Sequence, residues 1–336
     1  MAEILVVGGG SWGTAFAHYL TTLGRPVRLW VREEEVIASI RRCRENRIFL
    51  PGIQLNQDLV PVADLAVEAA RSDILILAVP SKFMRAVMTG LVKAAVRRPV
   101  FVNLSKGFEA DSLKTISQVA QEVFGIGILD RWVTLSGPSF ARELASLHPT
   151  AIVGASPSAA LLKRIQKDFS STVLRIYRSD DLTGVEVGGA VKNVMAIAAG
   201  MSNGLGYGTN TTASLVTRAS VEIMRLGVAL KGKTETFWGL AGIGDLMLTC
   251  FGSLSRNFQL GRQIALGKSL AEVENSSPMV AEGIETAKAV KKIADRMKIE
   301  MPISQQVHQV LFNAKSPRAA LADLMARSLK VEWNSN

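Results

Sequence analysis

The chain is poor in the residues that build metal and disulfide sites. Only two cysteines, Cys43 and Cys250, occur in 336 residues, far apart and without CxxC spacing, and the three histidines are scattered at positions 18, 148 and 308. That excludes a disulfide scaffold, argues against a structural zinc site and suits a reducing cytoplasm. No bound metal is expected. A long apolar run is also missing: the richest stretch, 194–201, is hemmed in by Lys192, Asn193 and Asn203, well short of a membrane span. Met1, Ala2 and Glu3 lead straight into an apolar run with no basic leader, so no signal peptide and no membrane insertion are expected. The net charge is +10, but the excess is spread over both halves, 22 basic against 16 acidic residues up to 180 and 17 against 13 beyond. With no basic arm and no recognisable nucleic-acid module, the charge reads as solvated helix faces in a mild positive field that draws small anions.

What is there begins at EILVVGGGSWGTAF, residues 3–16. Four apolar residues stop at three glycines, then a small-residue segment follows, which reads as a buried parallel strand turning into a helix. Gly8, Gly10 and Gly13 stand at GxGxxG spacing. The first serves a tight turn, the second the approach of a pyrophosphate, the third the packing of helix on strand, and the helix start favours an anion. Taken alone the glycines suit a plain loop as well as a dinucleotide site. The second strand candidate at 26–31 completes the βαβ unit that the motif needs.

At 48% apolar residues, a chain of this length has room for two domains. Up to residue 180, strand candidates (DILILAVP, RPVFVNL, RWVTLSG, PTAIVGA, STVLRIY) alternate with helical patterns such as 82–96 and 158–169. The alternation predicts an α/β, Rossmann-like domain with a largely parallel sheet over 1–180. From 181 the strand signals fade into helical stretches at 185–201, 211–226, 256–266, 285–297 and 303–312, which predict an all-helical second domain over 181–336. Ligands of such sheets bind beyond the carboxyl ends of the strands, so the cleft facing the second domain is the expected active site.

Three groups there are able to carry chemistry. Lys106 follows one strand in VNLSKGFE, and Gly137 and Ser139 stand at a strand-to-helix turn in LSGPSFARE. A lysine at such an edge reaches an anion in the cleft or is a solvated loop residue. Lys192, among the small and apolar residues of VEVGGAVKNVMAIAAG, is either an ammonium whose burial beside another cation tunes it for acid/base work, or a lysine snorkelling out of a packed helix. Asp245 follows a glycine pair, and Ser255, Arg256 and Asn257 open a helix. Hydroxyl, guanidinium, amide and free N–H groups together suit a phosphate, although Ser255 alone is explained by helix capping.

In order and spacing, GGGSWGTA, NLSKGFE, SGPSFARE, GGAVKNVMAIAAGM, GIGDLMLTC and SRNFQLG resemble the motifs of the NAD(P)-dependent glycerol-3-phosphate dehydrogenases of bacterial biosynthetic type. The resemblance implies reversible reduction of dihydroxyacetone phosphate to sn-glycerol 3-phosphate for glycerophospholipid synthesis, by a cytoplasmic homodimer. It puts the catalytic lysine at Lys192 and the substrate contacts at Lys106, Gly137, Ser139, Lys192, Asp245, Ser255, Arg256 and Asn257. On the cofactor side it implies Ser11 and Trp12 in the dinucleotide loop, and Lys106, Ala141, Arg256, Val280 and Glu282 around the nicotinamide half. Gly9 stands where the family usually has alanine, a departure expected to add only backbone freedom. Two-domain β-hydroxyacid dehydrogenases acting on 6-phosphogluconate or 3-hydroxyisobutyrate share a GG-x-x-K-N pattern, but SRN after GDL favours a small phosphorylated substrate. A catalytically silent dinucleotide-binding regulator would be free to lack Lys192, Asp245 or Arg256, and all three are present.

Cofactor choice turns on VRLWVREEE. The second strand leads to Arg32, with no carboxylate before Glu33, which predicts a preference for NADP(H) over a usable NAD(H). Glu33, Glu34 and Glu35 are expected to open the next helix. The competing role for Arg32 is a surface pair with one of them.

Overall fold

The computed structural model describes residues 2–94, 98–276, 279–329 and 331–332. Within them lie strands β1 (Ile4–Val7), β2 (Val27–Trp30), β3 (Leu59–Val62), β4 (Ile74–Leu77), β5 (Val100–Asn103), β6 (Phe108–Glu109), β7 (Lys114–Thr115), β8 (Trp132–Ser136), β9 (Thr150–Ala155) and β10 (Leu174–Ser179). Eight of these form one sheet in the order β10-β9-β8-β5-β4-β1-β2-β3, and β6 with β7 makes a separate small hairpin. Neighbours in the large sheet run parallel except β8 against β9. β1 lies between β2 and β4, so the order reverses there and opens a crevice beyond the carboxyl ends of β1 and β4.

Helices α1 (Ser11–Thr22), α2 (Glu34–Cys43), α3 (Leu65–Ala70), α4 (Ser81–Ala94), α5 (Ile116–Phe124), α6 (Ala141–Ala145) and α7 (Ala159–Phe169) accompany the sheet. Side chains alternate across a strand. Accordingly Ile4 and Val6 join one core with Phe16, Leu20 and Phe169, while Leu5 and Val7 join another with Met84, Met88 and Val119. Covered on both faces, β1 and β4 are apolar at every position. β3 is absent from the expectation because Pro61 interrupts its pattern; at the sheet edge the missing N–H is tolerated.

Beyond β10 the chain is helical in its described residues: α8 (Leu182–Gly204), α9 (Thr209–Ala229), α10 (Thr234–Trp238), α11 (Asp245–Phe251), α12 (Arg256–Ala265), α13 (Leu270–Asn275), α14 (Glu282–Met297), α15 (Pro302–Phe312) and α16 (Pro317–Met325). α8 is the axis of this half, buried over almost its whole length. It comes so close to α12 that a Cβ at Gly200 would sit 1.9 Å from the Phe258 carbonyl oxygen. The expected helix at 82–96 begins one residue earlier, and its last two positions lie outside the described residues. That expected at 285–297 begins at Glu282, which brings the glutamate into the cleft.

Candidate active site

A cleft of about 660 Å³ runs from the glycine turn to α8, α11 and α12. At one end it is built from backbone. Gly8 has φ +123°, where a side chain would be strained and would also meet the Ala78 carbonyl oxygen at 2.6 Å. At Gly13 a Cβ would lie 2.0 Å from the Gly8 carbonyl oxygen, whereas at Gly10 it would meet nothing within 4 Å. The turn is thus closed on its protein side and open on the cleft side, the cradle that a dinucleotide pyrophosphate requires. Ser11 and Trp12 line this end, and Ser11 Oγ donates to the Phe49 carbonyl at 2.5 Å.

Gly9 contributes more than the expected backbone freedom. A Cβ there would lie 2.7 Å from both methyl carbons of Val31, so the missing side chain makes room for the residue that follows β2.

Arg32 sits at the rim of the same end with 69% of its side chain exposed. Its Nε and Nη2 donate to Glu33 Oε1 at 3.1 and 2.8 Å, and its guanidinium lies 5.8 Å from the centre of the Phe83 ring. Glu34 and Glu35 do open α2, but Glu33 precedes it and is engaged with Arg32. Both sequence-level readings of Arg32, cleft cation and surface pair, therefore describe one side chain.

At the other end three charged side chains converge. Lys192, on α8 and only 8% exposed, donates from Nζ to Asp245 Oδ1 at 2.8 Å and to Thr249 Oγ1 at 2.7 Å. Lys106, from the turn after β5, donates to Asp245 Oδ2 at 2.6 Å and to the Gly137 carbonyl at 3.0 Å. Asp245 is 1% exposed and so bridges two ammonium groups from different halves of the chain. Burial lowers Lys192 to about 8; Asp245 opposes the fall and Lys106 adds to it. For Asp245 burial pushes the carboxyl upward, but the two lysines outweigh it and hold it below the ordinary carboxylate range. Of the two sequence readings of Lys192, the buried ammonium is the one found.

On the helix start beyond, Ser255 Oγ caps α12 by accepting from Phe258 N, and Arg256 Nη1 donates to the Val280 carbonyl at 3.2 Å. Asn257 is partly committed elsewhere: Nδ2 donates to Asn193 Oδ1 at 3.0 Å and Oδ1 accepts from Gly283 N at 2.9 Å. Ser139, whose hydroxyl donates to the Gly137 carbonyl, lines the cleft with Ala141, Val280 and Glu282. The Glu282 carboxylate accepts from Ser81 N and Oγ at the start of α4, and burial raises its pKa. Except Gly13 and Gly137, which shape its turns from behind, every expected site residue lies on this one cleft. A second groove, around His18, Arg44 and Asp58, is shallow and gathers none of them.

Several cleft residues escaped the sequence reading. Thr249 stands four residues after Asp245 on a helix, so the spacing alone places both on one face. Phe49 and Phe83 carry no comparable signal, because only tertiary packing brings the turn of the one and the first turn of α4 with the other to the cleft. A shallower resemblance to solved structures extends to D-mandelate dehydrogenase with NADH (12% identity, TM-score 0.61), which speaks to the fold alone.

The family described as NAD-dependent glycerol-3-phosphate dehydrogenase matches with its N-terminal part over residues 3–162 and its C-terminal part over 181–322. The chain is 46% identical over 333 residues to the glycerol-3-phosphate dehydrogenase [NAD(P)+] of Geobacter sp. (strain M21), covering 99% of both chains. With the enzyme of that name numbered 1 from Salinibacter ruber it shares 46% over 332 residues, covering 99% of this chain and 97% of the other. The crystal structure of glycerol-3-phosphate dehydrogenase from Coxiella burnetii superposes with a TM-score of 0.92 at 33% identity, over 97% of this chain and 99% of that one. A glycine cradle at one end of the cleft, a buried lysine at the other and full-length kinship of this depth agree, and the chain belongs to the NAD(P)-dependent glycerol-3-phosphate dehydrogenases.

Proposed function

We propose that Lys192 is the proton donor and acceptor in the reversible reduction of dihydroxyacetone phosphate to sn-glycerol 3-phosphate. The observation that carries this role is the buried contact of Lys192 with Asp245 and Thr249 beside Lys106. A reduced nicotinamide, when bound, supplies the hydride to the ketone carbon. Lys192, protonated below about pH 8, gives its proton to the oxygen of that carbonyl as negative charge develops there. Asp245 holds the Lys192 ammonium in place, and Lys106 polarises the carbonyl while lowering the Lys192 pKa. With one carboxylate between two ammonium groups the cluster keeps a positive balance, suited to an anionic substrate. Arg256, Asn257, Ser255 and the start of α12 hold the phosphate, so binding energy remote from the reacting carbon serves orientation. Gly137 and Ser139 complete the substrate side.

Gly8, Gly10, Ser11, Trp12 and Gly13 hold the dinucleotide, and Lys106, Ala141, Arg256, Val280 and Glu282 stand at its nicotinamide half. Arg32 biases the choice toward NADP(H), with NAD(H) usable. The division at 180/181 parts a dinucleotide-binding domain from a helical substrate-binding and catalytic domain, and each reaches into the other's half of the cleft: Lys106 and Ser139 toward the substrate, Val280 and Glu282 toward the nicotinamide. Assembly as a homodimer rests on the resemblance of the motifs. A cytoplasmic setting rests on the scarcity of cysteine, and among the described residues no helix is long and apolar enough to cross a membrane.

The assay follows NADPH absorbance with dihydroxyacetone phosphate and then with unphosphorylated dihydroxyacetone. Rapid oxidation with the ester and little with the free ketone is expected; no oxidation with the ester overturns the reading.

A further inference from the structure

Three consecutive glycines carry no side chain to hold their peptide planes in one orientation, and the chain supplies the missing restraint from outside the motif. Asn46, in the loop after α2, has no exposed surface. Its Nδ2 donates to the Gly9 carbonyl oxygen and to Thr14 Oγ1, both at 2.8 Å, and its Oδ1 accepts from Phe49 N at 3.0 Å. Thr14, equally buried, donates from Oγ1 to the same Gly9 carbonyl at 3.1 Å. The Gly9 carbonyl is therefore gripped from the protein side by two donors that do not line the cleft.

In a planar trans peptide the N–H points opposite to the C=O, and no cis bond occurs among the described residues. Fixing the Gly9 oxygen inward turns the N–H of Gly10, the other end of that peptide, toward the cleft. A carboxylate at position 46 would set acceptor against acceptor, and an aliphatic residue would leave the buried carbonyl short of a donor.

We propose that Asn46 is a positioning residue of the cofactor site: it holds the Gly9–Gly10 peptide so that its N–H is presented to the dinucleotide pyrophosphate. Through Phe49 N the same amide fixes the loop that walls the cleft. The inference rests on reading the glycine turn as the dinucleotide site.

The test uses ADP-ribose, which carries the pyrophosphate but no nicotinamide, and reads its Kd by calorimetry together with the KM for dihydroxyacetone phosphate at saturating NADPH. Asn46→Ala is expected to raise the ADP-ribose Kd about tenfold, the effect of one lost hydrogen bond, and to leave kcat and the substrate KM within about twofold. An unchanged Kd, or a Kd and substrate KM that worsen together, overturns the proposal. Should Asn46→Ala fail to fold, Thr14→Val removes the other donor to the Gly9 carbonyl and is expected to weaken ADP-ribose severalfold with the substrate KM unmoved; no change in Kd overturns the proposal equally. Failure of the wild-type protein to bind ADP-ribose at all would instead remove the dinucleotide reading of the turn.

Discussion

The two ends of the cleft are made of different material. At the glycine turn the surface is bare backbone: Gly8 and Gly13 have no room for a Cβ, and a Cβ at Gly10 would meet no protein atom. At the α8 end the groups are side chains, two ammonium groups that each donate to one carboxylate within 3 Å, with Lys192 and Asp245 buried. A backbone site is sensitive to what is added, and a side-chain site to what is removed. On the proposed reading the one would bind by shape and dipole, and the other would set the protonation state that the reaction consumes.

The largest effect expected from this contrast is at Lys192. Lys192→Ala should lower kcat by roughly a thousandfold or more, in the range of lost acid/base catalysis, while NADPH binding measured by fluorescence titration stays near wild type. In the wild type, turnover in the reducing direction should decline as pH rises through about 8, because the donor loses its proton there, and the oxidising direction should rise over the same interval. A flat profile in both directions, or an active alanine variant, would move the proton to another group.

Arg256→Ala comes next. Loss of a charged hydrogen bond worth roughly 3 kcal/mol should raise the substrate KM about a hundredfold, with the NADPH KM changed far less. An unchanged substrate KM would move the phosphate site off the start of α12.

At the backbone end, Gly10→Ala sharpens the comparison. Since a Cβ there meets no protein atom, the melting temperature of the free protein should hold within a degree or two, whereas NADPH affinity should fall by about tenfold as the methyl meets the pyrophosphate. Unchanged affinity would show that the cofactor keeps its distance from Gly10.

The smallest effect is expected at Arg32. Its pairing with Glu33 and its exposure limit what it offers a 2′-phosphate, so Arg32→Ala should cut the NADPH over NADH ratio of kcat/KM by only about fivefold to tenfold. A wild-type preference for NADH, or a preference for NADPH that survives the substitution, removes Arg32 from the role.

The same contrast explains what was legible beforehand. Glycines at fixed spacing report a local backbone demand, and the apolar runs of β1 and β4 report burial on both faces, so the sheet and its cradle follow from short segments. Lys192 is legible as an oddity among small residues, but its partners come from positions 106, 245 and 249, which only the fold brings together. Asn257 is legible as a candidate phosphate contact at a helix start, but its bonds to Asn193 and Gly283, which take up one of its two amide hydrogens and its amide oxygen, follow only from the fold. Asn46 gives no local sign at all, because its partners are the carbonyl of Gly9 and the hydroxyl of Thr14, more than thirty positions upstream.

The fit of Gly9 against Val31 has a consequence for how this chain can change over time. With both methyl carbons of Val31 at 2.7 Å from where a Cβ would stand, alanine at position 9 and valine at position 31 compete for one volume. Gly9→Ala alone should cost about 1–3 kcal/mol of stability through overpacking, and Val31→Ala alone should cost a similar amount through the cavity it leaves. Joined, the two should cost less than their sum, measurable as a coupling energy in urea unfolding of the four proteins of the cycle. Additive costs would show that the strand yields instead. If the coupling holds, neither position drifts freely, and an exchange of alanine for glycine in this turn is an exchange of two residues whose order of arrival matters.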